Sequence, residues 1–188
     1  LGSRTYDSFG RLKTTNITVN EVDPGATILN HTYTVQTTIN NYNSLNQITR
    51  QNTVTTDNGL IITQNDIGDR TYDSFGRLLG SNVSVNEVGW VMPEVPPGFI
   101  GPIAPVKVLD HTYTVQTTGI TYNSLNQITG QTTVTADGGI TTTQKDINNR
   151  TYDTLGRLTR SKFSFVETSG GVIIEEYIIE TNSIVYNT

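Results

Sequence analysis

RTYDSFGRL at 4–12 returns unchanged at 70–78 and as RTYDTLGRL at 150–158, while a variant, YNSLNQIT, occupies 42–49 and 122–129. Aligned on the tyrosine, the anchors are Tyr6, Tyr42, Tyr72, Tyr122 and Tyr152, spaced 36, 30, 50 and 30 residues apart. The shared pattern Y-(D/N)-x-(F/L)-(G/N)-(R/Q)-(L/I) reads as a tight turn. Asp7, Asn43, Asp73, Asn123 and Asp153 each supply a side-chain acceptor that can cap it. Gly10, Asn46, Gly76, Asn126 and Gly156, three residues on, are the types that adopt φ > 0 at least cost. Arg11, Arg77 and Arg157 are expected to pair with the turn carboxylate or to cover a tyrosine, and the repeated tyrosine to pack beneath its hairpin.

Outward from each turn the chain alternates with period two, as in Tyr33, Val35, Thr37 and Ile39 against Thr32, Thr34, Gln36 and Thr38. Further turn signals fall midway between anchors, at Asp23-Pro24-Gly25, Asp57-Asn58-Gly59, Asp137-Gly138-Gly139 and Ser169-Gly170-Gly171. The expected strands are 11–22, 27–42, 47–56, 60–72, 77–88, 106–122, 127–136, 140–152, 157–168 and 172–186. The fold class is therefore all-β: an antiparallel meander of long strands in tandem hairpin repeats, closing as a sandwich, an open barrel or a shell- or rod-like sheet. Strands this long exceed the usual five or six residues, so bulges should break some of them.

Composition points the same way. Thr fills 33 of 188 positions, hydrophobic residues make up only 34%, and helix formers are scarce, which suits a half-solvated pleated surface. The formal charge of −5 argues against a nucleic-acid partner, which calls for a clustered basic face. No apolar run approaches the roughly 20 residues of a membrane-spanning helix. With no Cys there are no disulfides or thiolate metal sites. Low charge with abundant Thr and Asn places the expected location at the cell surface or outside the cell.

Residues 31–78 and 111–158 match without a gap and differ at 15 of 48 positions, so 1–188 reads as one continuous repeat unit. The long spacing of 50 reflects an insert at 89–108, which holds the only Trp, the only Met and five of the six Pro. Its apolar residues Trp90, Val91, Met92, Phe99, Ile100 and Ile103 are contact candidates, read equally as a lid over the sheet or as an intermolecular surface. Residues 175–188 align on 31–44, pairing Tyr177 with Tyr33 and Tyr186 with Tyr42. The pattern thus stops inside a repeat, and the expectation is a sheet continued by more chain or by another subunit. The candidate donor is the segment 172–188, with Val172, Ile173, Ile174, Tyr177, Ile178 and Ile179.

The anchors 6–12, 72–78 and 152–158 resemble the YD repeat of the rearrangement-hotspot (RHS) and related bacterial surface proteins. That resemblance implies extended β-sheet shells or rods on large secreted or wall-associated proteins, serving as scaffolds, adhesins or containers for a separate toxin domain. The long Thr-rich strands depart from the closed shell and favour a rod or fibre.

Catalysis has no visible seat: no HExxH, P-loop, dinucleotide fingerprint or GxSxG elbow occurs. His31 and His111 hold equivalent repeat positions, which marks them as structural. Asp66, Asp69 and Asp73 form an acidic cluster, but Asp69 becomes Asn149 in the second copy and turn capping accounts for Asp73, so neither metal nor cofactor is expected. Sequons at Asn16, Asn30, Asn82 and Asn149 are candidate glycosylation sites. The leading expectation is a non-enzymatic extracellular structural protein, a subunit or segment of a surface fibre or stalk that self-associates by strand pairing. The alternatives are an adhesin or glycan- or protein-binding module, and a shell segment of an RHS-type toxin-delivery protein.

Overall fold

The computed structural model describes residues 2–22, 30–95, 98 and 100–186. Among the described residues there are twelve strands and no helix: β1 (Ser3–Tyr6), β2 (Leu12–Val22), β3 (Asn30–Tyr42), β4 (Ile48–Asp57), β5 (Leu60–Asp66), β6 (Thr71–Tyr72), β7 (Leu78–Val91), β8 (Val106–Tyr122), β9 (Ile128–Asp137), β10 (Ile140–Tyr152), β11 (Leu158–Ser169) and β12 (Val172–Thr181). They form one antiparallel meander in the order β1-β2-β3-β4-β5-β7-β8-β9-β10-β11-β12, with β6 beside β7. The all-β antiparallel meander is as expected, and the sheet is not closed into a barrel. A period of two tells which side chains share a face, but not whether a second layer covers it. The Asp23-Pro24-Gly25 turn lies outside the described residues.

The chain divides into two compact units, Leu1–Ile67 with Ser84–Thr112, and Gly68–Val83 with Tyr113–Thr188. In the first, register stacks Thr15, Thr37 and Thr53 in one row and Thr18, Thr34 and Thr56 in another, on opposite faces. In the second, the row Gln116–Val134–Thr143–Val166–Glu176 crosses β8 to β12. Branched Thr side chains suit these rows because they pack with cross-strand neighbours while keeping a hydroxyl in water. Within each unit the anchor turns lie at one end of the strands, the turn side, and the β4–β5, β9–β10 and β11–β12 tips at the other, the hairpin side.

Little of the surface is buried. Among the described residues the buried apolar side chains are Ile39, Val85 and Ile120. The exposed area is 12472 Å², against roughly 8,900 Å² for a compact protein of this mass. Cohesion therefore comes from the strand ladder and cross-strand pairs rather than from a thick core.

Two strand assignments differ from the sequence reading at informative places. The expected strand 60–72 is split into β5 and β6, with the break after Asp66, whose carboxylate accepts the Gln51 backbone N–H at 2.7 Å. The duplicate bends at the same point. Asp146, its side chain only 4% exposed, accepts the Gln131 N–H at 2.9 Å and an Arg150 guanidinium N–H at 2.8 Å. Here Asn148 and Asn149 stand in place of Gly68 and Asp69, and β10 continues through register shifts between Asp146 and Thr151. The last strand ends at Thr181 rather than at 186. The strand β1 was not anticipated.

Candidate functional site

Each anchor turn is built from its own seven residues. In the turn at 72–78, Asp73 Oδ1 accepts the backbone N–H groups of Phe75 and Arg77, both at 2.9 Å, and Asp73 Oδ2 accepts Arg77 Nε at 2.7 Å. The Gly76 N–H donates to the Asp73 carbonyl at 3.0 Å, and the Asp73 N–H donates to the Arg77 carbonyl at 2.9 Å. The residue three beyond Asp or Asn has positive φ in every case: Gly10 76°, Asn46 61°, Gly76 83°, Asn126 63° and Gly156 80°. In the Asn turns the arginine is replaced by glutamine, and Asn43 Nδ2 donates to Gln47 Oε1 at 2.5 Å, as Asn123 does to Gln127 at 2.6 Å. Desolvation would raise the Asp7 and Asp73 carboxyls, yet two backbone N–H donors and the arginine together hold both below the ordinary value. Asp153 is lowered first by the Arg157 backbone N–H and then by its side chain.

Successive turns are then linked to one another. The Tyr42 hydroxyl donates to the Leu12 carbonyl at 2.6 Å, Tyr122 to Leu78 at 2.7 Å, Tyr152 to Ile128 at 2.5 Å and Tyr186 to Leu158 at 2.8 Å. In each case the acceptor lies six residues after the preceding anchor tyrosine. Arg11, Arg77 and Arg157 lie over the rings of Tyr42, Tyr122 and Tyr186 at 4.6, 4.6 and 4.5 Å. The arginine thus pairs with its own turn carboxylate, as expected, and covers the tyrosine of the next turn rather than that of its own. Tyr186 occupies the same position as the anchors, while Tyr6 is 57% exposed and Tyr72 half-buried.

The fourth residue of the motif is exposed in every turn, although in two of them the turn's own arginine lies over its ring, Arg11 over Phe9 and Arg77 over Phe75, both at 5.1 Å. Phe9 is 81% exposed, Leu45 71%, Phe75 82%, Leu125 73% and Leu155 75%. Leu45, Leu125 and Leu155 have no such ring contact, and a polar residue would satisfy the same backbone, so the recurring Leu is a candidate contact. The signal was there in the repetition of an apolar type at a turn tip.

The insert candidates are spread along a hairpin extension in the first unit. The Trp90 N–H donates to the Gly59 carbonyl at 2.9 Å, and Lys107 Nζ lies 5.6 Å from its ring centroid. Val91, Met92 and Ile100 are exposed and Ile103 is half-buried; Phe99 lies outside the described residues. The other candidates lie in the second unit, on β12. This strand pairs with β11 alone, all ten of its residues are exposed, and Val172, Ile173, Ile174, Tyr177, Ile178 and Ile179 are among them. Tyr177 stacks on Phe165 at 4.7 Å. Beside it Lys162 and Arg160 both bind Glu180 at 2.9 Å and lower its carboxyl to about 2.

Of the sequon residues, Asn16 and Asn149 are exposed and Asn82 is half-buried; Asn30 opens β3, and its side chain lies outside the description. His31 Nε2 lies 3.1 Å from Asp57 Oδ2 across β3 and β4. Among the described residues no group of three or more His, Asp or Glu side chains is gathered as a metal site. No helix among them is long and apolar enough to cross a membrane. No family model, curated protein or solved structure matches the chain.

Proposed function

We propose that this chain is a non-enzymatic structural module of an extracellular repeat protein of the YD-repeat kind, and that it extends as a fibre or stalk by main-chain pairing at a sheet edge. The observation that carries the reading is β12. Ten residues of edge backbone carry six large exposed apolar side chains beside Glu175, Glu176 and Glu180, with no proline in the strand, and natural edge strands are ordinarily blunted by charge, proline or cover. The ladder of turns supports it, because each Tyr–carbonyl and Arg–Tyr link joins one turn to the next and can be repeated indefinitely. A strand added by a second molecule would satisfy the free backbone groups and shield the side chains together.

Deletion of residues 172–188 tests this reading. Negative-stain microscopy and sedimentation of the intact chain should show polymers that the deletion removes. Polymers of undiminished length after the deletion, or an intact chain that stays monomeric at all concentrations, would overturn it.

A further inference from the structure

In the unit of 1–67 and 84–112 the strands β2 to β5 have two unlike faces. Register sets the rows Ile17–Val35–Thr55–Ile62 and Thr15–Thr37–Thr53–Gln64 on one face, with Val19–Tyr33 and Ile39–Gln51 beside them. The rows Asn16–Gln36–Val54–Thr63 and Thr18–Thr34–Thr56–Ile61 stand on the other. The first face therefore carries Ile17, Val19, Tyr33, Val35, Ile39 and Ile62, where the second is mostly Thr, Asn and Gln. These apolar rows contain no charge. On the same face Glu21 and His31 pair at the hairpin end, where His31 Nε2 also lies 3.1 Å from Asp57 Oδ2.

A sheet with an apolar face ordinarily buries it against a second layer. Here, among the described residues, the strand contacts run between neighbours in the sheet. Ile17 is 41% exposed, and Val19, Tyr33, Val35 and Ile62 are only half-buried. The chain as a whole exposes roughly 3,600 Å² more than a compact protein of its mass. That excess has the scale of an interface rather than of a few side chains. Four strands about 4.8 Å apart, each about ten residues long at 3.4 Å per residue, present roughly 650 Å² per copy. Two such faces together supply about 1,300 Å², above the roughly 1,000 Å² that a specific interface requires.

We propose that this face packs against the same face of a second copy, making a two-layer sandwich with the Ile, Val and Tyr rows inside and the Thr and Asn rows in water. A second copy fits because the centre of the face is uncharged, so neither partner buries an unpaired ion. A two-fold axis lying across the strands at the height of Ile17 and Val35 lays β2 antiparallel on β2. It also keeps the two Glu21 carboxylates at opposite ends of the pair, whereas an axis along the strands would bring the acidic ends together. Sheets packed face to face lie about 10 Å apart, which lets the two sets of apolar side chains interdigitate. Such an isologous contact closes at two copies. It is independent of edge pairing at β12, which uses backbone groups at the margin of the sheet, so a fibre built by that pairing would be two sheets thick.

The test uses the full chain carrying Ile174→Lys/Ile178→Lys, in which pairing at the β12 edge is suppressed. Sedimentation of this blunted chain should show a monomer–dimer equilibrium. Adding Val35→Lys should leave monomer alone, while Thr34→Lys, one residue away on the opposite face, should leave the dimer intact. Val35→Thr keeps the branched shape and the fold, and should weaken dimerisation roughly tenfold with an unchanged far-ultraviolet spectrum. The chain has no cysteine, so a nitroxide on Thr34→Cys reports one intermolecular distance by pulsed electron resonance. Roughly 20–30 Å is expected, the 10 Å between sheets plus a label standing outward on each side. Copies joined at the β12 edge would hold the same labels eight or more strands apart. A blunted chain that sediments as a monomer at every concentration leaves the face to another partner or to solvent, and overturns the proposal. So does a Thr34→Lys variant as monomeric as Val35→Lys, or a dimer without the short distance. Loss of polymers with the dimer retained would count against edge pairing alone.

Discussion

The guanidinium of Arg77 lies 4.6 Å from the ring centroid of Tyr122, the anchor of the following turn, while its Nε holds Asp73 of its own turn at 2.7 Å. One side chain therefore closes a local turn and joins it to a neighbour 45 residues away. The tyrosine completes the joint by donating its hydroxyl to the Leu78 carbonyl at 2.7 Å.

Tyr122→Phe removes that hydroxyl and keeps the ring under Arg77. A single neutral hydrogen bond contributes on the order of 1 kcal/mol, so the midpoint of thermal unfolding should fall by about 2–4 °C. Tyr122→Leu should cost more, since the cation–π contact goes as well. Equal losses for the two variants in urea titrations would show that the guanidinium contact adds nothing.

Gly10 has φ 76°, and a Cβ there would meet no atom within 4 Å. The cost of Gly10→Ala is then backbone strain alone, about 1–2 kcal/mol. Gly10→Asn should cost less, because Asn46 and Asn126 hold the equivalent positions at φ 61° and 63°. Denaturant midpoints in the order Gly, Asn, Ala check this.

The Asp7, Asp73 and Asp153 carboxyls are held below their ordinary value, and that of Glu180 is lowered to about 2. A carboxyl whose folded pKa is depressed stabilises the fold fully above its unfolded value, and that stability is lost as pH falls through the folded one. Stability should therefore be flat above about pH 5 and decline from roughly pH 4.5 to pH 2. Asp73→Asn/Arg77→Gln installs the pairing that Asn43 and Gln47 already use, and should make the acid limb shallower while the turn is retained. Asp73→Asn alone should be worse than the double variant, because it leaves Arg77 without its carboxylate.

Ile174→Lys/Ile178→Lys places charge on an edge strand, the common device against unwanted pairing. Polymer length in electron micrographs should shorten sharply, with the monomer's unfolding midpoint changed by less than about 1 kcal/mol, as for exposed sites in general. Normal polymers from this variant would remove β12 from the assembly interface.

The anchor turns were legible in the sequence because their chemistry is local. Asp73, Gly76 and Arg77 satisfy one another within five residues, and the alternation around Tyr33 and Val35 fixes strand and face with no help from distant chain. What lies across a gap was not legible. Arg11 meets Tyr42 and Arg77 meets Tyr122 only because two strands intervene and return the chain to the same end. Likewise IGDR at 67–70 and INNR at 147–150 differ by two residues, and Asp66 and Asp146 make the same bond to the neighbouring strand, yet one segment breaks a strand in two and the other bulges within it. The open sheet and the projecting Leu45 and Leu125 were likewise settled in three dimensions. Sequence period determines which side chains share a face, and only the tertiary structure decides what, if anything, covers it.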